Sequence, residues 1–473
     1  MPTTLRIALW DHCLAAAGQI AEGSSNTGLV GCGAPIIALL QQQATQIVKL
    51  DAASAPPTLV ARRLDDLLEL AHARFYAFPP SDVPACWRHL YTDASILLFA
   101  IRWRSFTRGA TSLEDNLDSL VGPLDLALIL AGGAGPAGRG RAWIHTALDL
   151  VHAILEGTDE GEPEEPQRKR SRLDTPRAPS VPDFSSGPMF NDKEATAFVP
   201  PVRHRVPRSG PLGLEAFQAY LDRTKNRQPL VLSGMTDHWP ARQTGPGGRP
   251  WSSPDYLRWR TLRGCRLVPV EIGRSYVDDG WGQALVPFRQ VLDELVDPVP
   301  RAGGPTYLAQ HALFSQMPWL QQDIAVPDAC YTTTGEDDDE GDVLINAWLG
   351  PRGTITPLHT DPHHNLLAQV VGRKYVRLYA PEQTQKLRPR GREAGGVDMG
   401  NTSALDVGTM EGWDETASDN AGGEDKTDEK KAFQDIPYVD CILEAGDTLY
   451  IPQGWWHYVR GLSVSFSVSF WWN

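Results

Sequence analysis

Two hydrophobic rhythms divide the chain. From Leu5 to about Glu156, apolar residues recur every three to four positions: Leu59, Leu64, Leu67, Leu68, Leu70 and Ala71 interleave with Arg62, Arg63, Asp65, Asp66 and Glu69. That spacing matches the turn of a helix and predicts amphipathic segments. The same rhythm covers Ile36 to Val48, Cys86 to Trp103, Leu113 to Leu130 and Ala142 to Leu155, with breaks at Pro56-Pro57, Pro79-Pro80 and Gly132-Gly133. An all-helical domain of about five or six helices is expected over residues 1–156.

After Pro188 the rhythm shortens. Pro229 to Leu232, Arg266 to Ile272, Leu344 to Leu349 and Tyr375 to Tyr379 read as short strands. At the C-terminus, Val464, Phe466, Val468 and Phe470 alternate with Ser463, Ser465, Ser467 and Ser469. A period of two puts the rings on one face and the hydroxyls on the other, as in a barrel strand lining a polar cavity. Residues 189–473 therefore predict a β-rich domain, interrupted by acidic insertions near 335–342 and 411–431 that read as solvated loops. Between the two domains, residues 157–188 are acidic, then basic, then rich in Pro and Ser, the composition of a disordered linker. Its run Arg168-Lys169-Arg170-Ser171-Arg172 is a candidate nuclear-import signal, so the expected location is the nucleus, the cytoplasm or both.

Composition sharpens this picture. The 473 residues carry a net charge of −14, and three segments, 156–177, 336–342 and 411–431, together hold −13 of it. The folded bodies are thus nearly neutral, which argues against a surface that grips nucleic-acid backbones. Six scattered cysteines show no metal-knuckle spacing and read as reduced, buried thiols. No secretory signal or membrane-length apolar run is visible.

The candidate chemistry lies in the second domain. In Thr356-Pro357-Leu358-His359-Thr360-Asp361, strand alternation would turn His359 and Asp361 to one side. His457 follows the turn Ile451-Pro452-Gln453-Gly454 at another strand end. Two imidazoles and a carboxylate form the facial triad of a non-haem Fe(II) site, which leaves three positions open. Lys374, on the next expected strand, is costly inside a barrel unless it meets an anion, and a dicarboxylate co-substrate would supply one.

The stretch from about Pro229 to Asn473 resembles the Jumonji-C (JmjC) domain of Fe(II)- and 2-oxoglutarate-dependent oxygenases, particularly the lysine-specific demethylase 8 and arginyl hydroxylase subfamily. The similar text includes Val268-Pro269-Val270-Glu271, Tyr307-Leu308-Ala309-Gln310-His311, Ile345-Asn346-Ala347-Trp348, Gly372-Arg373-Lys374-Tyr375 and Trp456-His457-Tyr458. The resemblance implies an α+β chain: an N-terminal helical domain followed by a double-stranded β-helix, or cupin barrel. It implies Fe(II) held by His359, Asp361 and His457, with 2-oxoglutarate and O2 as co-substrates. Tyr307, Thr356, Asn365, Lys374 and Trp471 would hold or flank 2-oxoglutarate, and Glu271, Gln310 and Trp348 would line the pocket for the target side chain. The expected activity is hydroxylation of an arginine in a protein substrate rich in basic residues, of the histone, ribosomal or chromatin-associated kind. Histone-lysine demethylation is the alternative, and a catalytically idle protein-binding platform the second.

Three features depart from the family's text. His363 and His364 follow Asp361-Pro362, but a strand cannot aim successive imidazoles at one ion, so both are expected to be non-ligands. Thr356 stands where the family has serine, and the insertion from Met410 to Lys431 is long. No zinc-protease helix motif supports the peptidase activity also attached to this family.

Overall fold

The computed structural model describes residues 3–23, 27–50, 58–79, 82–109, 111–157, 181–184, 187–190, 198–223, 227–245, 247–278, 280–298, 303–333, 342–392, 398–414 and 424–473. The basic run Arg168 to Arg172 and all of the acidic loop 336–342 except Asp342 lie outside them.

The chain forms two compact units. One comprises Met1–Ser180 with Thr261–Leu267, the other Val181–Arg260 with Val268–Asn473. In the first, the apolar stripes form the helices Thr3–Glu22, Ala34–Val48, Thr58–Phe75, Ala85–Arg108, Leu113–Ala131 and Arg141–Leu155. The helix Leu113–Ala131 starts where Ser112 Oγ accepts the Asp115 amide at 3.1 Å, satisfying an otherwise orphaned donor. Ala85–Arg108 is buried on most sides, from Trp87 to Phe106, and the other helices pack their stripes onto it. Its Asp93 takes two bonds of 3.1 Å from the fully buried Arg139, so this strongly polar spot in the core is paired.

Thr261–Leu267 interrupts the sequence of the second unit yet packs in the first. Leu262 and Cys265 join the helical core, and Asp125 accepts from Arg266 at 2.7 and 2.9 Å and from the Leu267 amide at 2.8 Å.

The second unit is a double-stranded β-helix. Leu344–Gly350, His364–Val371, Asp447–Ile451 and Ser465–Trp472 belong to a nine-stranded sheet, while Ile355–His359, Lys374–Tyr379, Val439–Leu443 and Trp456–Gly461 form a four-stranded one. Along the chain these strands alternate between the sheets, except where Lys374–Tyr379 and Val439–Leu443 pair within the smaller one. Gly372 makes the turn between His364–Val371 and Lys374–Tyr379 at φ +70°, where a Cβ would lie 1.9 Å from the Val464 carbonyl.

The alternation read in the last strand is realised. Phe466, Val468, Phe470 and Trp472 pack with Trp239, Trp251 and Phe314 on the outer face of the large sheet. Ser467 and Ser469 face inward, where Ser467 donates to Gln369 at 2.8 Å and Ser469 accepts from Trp348 at 3.0 Å. Leu367, Val376, Leu378, Ile451 and Val459 pack as one apolar cluster between the two sheets.

The described part of the insertion differs from the solvated loop expected of it. Val407–Met410 and Glu424–Gln434 are helical, and Phe433 and Ile436 pack on Leu405 and Tyr379. Asp414 accepts from Arg460 at 2.8 Å through both oxygens and from Arg274 at 2.9 Å. Composition exposes the charge of such a segment but not the arginines that neutralise it.

Candidate metal centre

His359 closes the strand Ile355–His359 and pairs across the small sheet with His457, near the start of Trp456–Gly461. Their rings stand 4.1 Å apart. Each imidazole is oriented from behind: His359 Nδ1 lies 2.8 Å from the Pro357 carbonyl and His457 Nδ1 3.1 Å from that of Trp455. With Nδ1–H donated to a carbonyl, each Nε2 lone pair is free to face the cavity, the tautomer a metal requires.

Asp361 arrives differently from the expectation of strand alternation, because the strand ends at His359 and the carboxylate sits in the following turn. The Gly454 amide, donating to the Asp361 carbonyl at 3.1 Å, ties that turn to the one before His457. Asp361 thereby reaches His359 Nε2 at 3.7 Å and His457 Nε2 at 3.5 Å. Among the described residues these three form the one group of His, Cys, Asp and Glu side chains within ligating distance of a common ion. Burial, then the neighbouring His457, lowers His359 to about 4. Burial alone would raise the Asp361 carboxyl, but the imidazoles outweigh it and hold it at about 2. A carboxylate beside two imidazole nitrogens suits a divalent cation.

One cavity joins the triad to Tyr307, Trp348, Thr356, Asn365, Lys374 and Ser469. Lys374 is 2 % exposed, its Nζ donates to the Tyr307 hydroxyl at 3.3 Å, and among the described residues it meets no carboxylate. Burial lowers its ammonium to about 7. The Thr356 hydroxyl meets the Tyr307 phenol, and Asn365 Oδ1 is buried without a hydrogen-bond partner. A buried ammonium and an orphaned amide beside a carboxylate–imidazole cluster fit a chelating dicarboxylate.

Trp471 lies opposite Asn365 in the sheet, stacks on His363 at 5.7 Å, and leaves its buried indole N–H without a partner. The two extra histidines turn away from the triad. His363 Nδ1 is 2.9 Å from Asn473 Oδ1, while His364 bonds the Tyr450 hydroxyl at 2.9 Å and Arg227 at 2.7 Å.

The three residues expected to line the target pocket have different settings. Glu271 is half-buried opposite Tyr307 in the strand pair, and burial raises its carboxyl, an effect the Trp281 indole opposes. Trp348 lies in the cavity with Tyr307 and Lys374, its N–H given to Ser469. Gln310 is exposed at φ +45°, because a register shift between Leu308 and His311 re-aims its side chain.

Sequence reading missed Tyr276. Its hydroxyl is 3.3 Å from Thr402 Oγ1, and its phenol, raised chiefly by burial, lies within the electrostatic reach of both Glu271 and Asp361. Thr402 bridges to His359, and the Ser403 amide donates to the Leu358 carbonyl at 2.8 Å, so the edge of the ligand strand is covered. Neither residue lies in a motif; only the fold brings them to the rim.

Residues 216–473 match the family described as cupin-like domain. The chain is 43 % identical over 271 residues to lysine-specific demethylase 8 of Danio rerio, covering 57 % of this chain and 58 % of that protein. It is 35 % identical over 412 residues to lysine-specific demethylase JMJ30 of Arabidopsis thaliana, covering 86 % and 84 %. With bifunctional peptidase and (3S)-lysyl hydroxylase JMJD7 of Homo sapiens it shares 24 % identity over 289 residues, 54 % of this chain and 80 % of that one. The chain thus spans little more than half of its Danio rerio relative and most of its Arabidopsis thaliana one.

Proposed function

The chain belongs to the JmjC branch of the cupin-like family, the Fe(II)- and 2-oxoglutarate-dependent oxygenases, and from that premise we propose that it hydroxylates an arginine side chain of a protein substrate. His359, Asp361 and His457 would hold Fe(II), which with 2-oxoglutarate and O2 would supply the oxidation of an unactivated C–H bond.

The chain's own residues do the rest. The carbonyls of Pro357 and Trp455 keep both imidazoles in the ligating tautomer. Lys374 and Tyr307, with Thr356 and Asn365, receive the far carboxylate of 2-oxoglutarate. Leu367, Ile451 and Val459 give the cavity an apolar wall that disfavours water.

The observation that carries the arginine reading is Glu271. A half-buried carboxylate near the Tyr276 phenol suits a guanidinium, which is always charged and forks onto carboxylate oxygens. The demethylase names of the Danio rerio and Arabidopsis thaliana relatives favour methyl-lysine as the second reading.

Mass spectrometry of basic peptides incubated with the full chain, Fe(II) and 2-oxoglutarate separates the two. A gain of about 16 Da on arginine supports hydroxylation, and a loss of about 14 Da from methyl-lysine reverses the assignment. Succinate formation equal in wild type and His359→Ala would dismiss both and leave the binding platform. We place the protein's action in the nucleus or cytoplasm; among the described residues no helix is long and apolar enough to cross a membrane.

A further inference from the structure

The helical unit carries a thiol pair for which the barrel chemistry has no use. Cys32 ends the 3₁₀ turn Thr27–Cys32, and Cys86 lies in the first turn of the helix Ala85–Arg108. Cys32 Sγ donates to the Cys86 carbonyl at 3.3 Å. From the other side, a Cβ built on Gly31 would lie 2.7 Å from Cys86 Sγ, so that sulfur rests on the main chain beside Cys32. Burial, and then the charge and hydrogen bond of the Cys86 thiol, pushes Cys32 up to about 12.

Cys86 differs from the rest. Cys13, Cys32, Cys265, Cys330 and Cys441 are buried, whereas Cys86 is half-buried and reachable from solvent.

We propose that Cys32 and Cys86 form a peroxide-sensitive dithiol that closes to an intramolecular disulfide. The reaction starts at Cys86, whose thiolate attacks a peroxide oxygen, breaks the O–O bond and becomes a sulfenic acid, with an alcohol or water leaving. The Cys32 sulfur then attacks the Cys86 sulfur, loses its proton, and displaces the hydroxyl as a second water. The two thiols give up two electrons and two protons, and the peroxide takes them. Cys32 Sγ already lies on the Cys86 carbonyl and Cys86 Sγ against Gly31, the residue next to Cys32, so closure calls on side-chain rotation. The bond would pin the turn Thr27–Cys32 to the start of the central helix and enclose the helices Ala34–Val48 and Thr58–Phe75 in a covalent loop.

The test uses the full chain, treated with hydrogen peroxide or a phosphine reductant, then blocked with iodoacetamide under denaturing conditions and digested without reduction. The expected product is one cross-linked peptide joining Cys32 to Cys86, absent after reduction and absent in Cys32→Ser and Cys86→Ser. In Cys32→Ser, Cys86 should instead be trapped as a sulfenic acid by dimedone. Closure should also raise the melting temperature of the oxidised protein by about 5 °C or more. The proposal is overturned if Cys86 passes to the sulfinic acid while Cys32 stays alkylatable. It is equally overturned if the cross-links formed join separate molecules or other cysteines.

Discussion

Arg377 and Glu411 meet at 2.5 Å with side chains only 1 % and 2 % exposed. Arg377 comes from a barrel strand, and Glu411 follows the short helix of the insertion. The guanidinium also lies 3.9 Å from the Tyr438 ring centre and 4.9 Å from that of Trp413. Removing one partner of such a pair leaves a buried charge without compensation. Glu411→Ala is therefore expected to lower the unfolding free energy by about 3–5 kcal/mol in urea titrations, and the double change Arg377→Met with Glu411→Leu to recover most of it. Equal losses in the single and double variants would show that the ring contacts, not the charge, hold the insertion.

Acid should destabilise the metal-free protein early. His359 and His364 are each lowered to about 4, chiefly by burial, against an ordinary value of 6.5. Between those values the unfolded chain binds more protons than the folded one, so stability present at neutral pH is lost as pH falls from about 6.5 through 4, on the order of 3 kcal/mol per histidine. Asp361, held at about 2 against 3.8, adds a further loss as pH falls below 3.8. Melting temperatures from pH 7.5 to 4 should trace this fall, and Mn(II) should shift it to lower pH, because metal and proton compete for His359.

Lys374 should make co-substrate binding depend on pH in the opposite direction. With its ammonium lowered to about 7, it is increasingly neutral in alkaline buffer, whereas the dicarboxylate needs it charged. The dissociation constant of 2-oxoglutarate for the Mn(II)-loaded protein is expected to rise about tenfold per pH unit above 7. Lys374→Met should weaken binding and flatten that slope. A slope that persists in the variant would assign the titration to another group.

His359→Ala removes a side chain that bonds one carbonyl, so its fold should survive while its metal site does not. Isothermal titration with Mn(II) should show affinity reduced by about 100-fold or more, with a melting temperature in apo buffer within a few degrees of wild type.

At the rim, Glu271→Gln keeps the shape of the side chain and removes its charge. For an arginine peptide KM should rise by about 10- to 100-fold, while 2-oxoglutarate turnover without peptide stays unchanged. If the peptide-free turnover falls as well, Glu271 serves the co-substrate rather than the target.

Much of this architecture was legible because periodicity reports burial. The stripes of Leu64, Leu67 and Ala71 and the serine–aromatic alternation of the last strand point to the faces they occupy. The family text pointed to one cavity, and His359, Asp361, His457, Tyr307, Thr356, Asn365 and Lys374 line it together. What periodicity could not carry was direction at irregular places. Gln310 is exposed where a register shift falls between Leu308 and His311, and Asp361 approaches from a turn. Glu411 and Asp414 read as surface charge because their arginines lie 34 and 46 residues away along the chain.

The bond from the Gly454 amide to the Asp361 carbonyl has one more consequence. Gly454 sits at φ +75°, a conformation few other residues accept, so this donor is built into the turn before His457. Two ligands distant in sequence thus share a single protonated nitrogen as their hinge pin. Deuterium uptake at that one amide becomes a clock for the triad: it should run slowly when the two turns are clasped around an ion, and faster once a chelator lets them breathe apart.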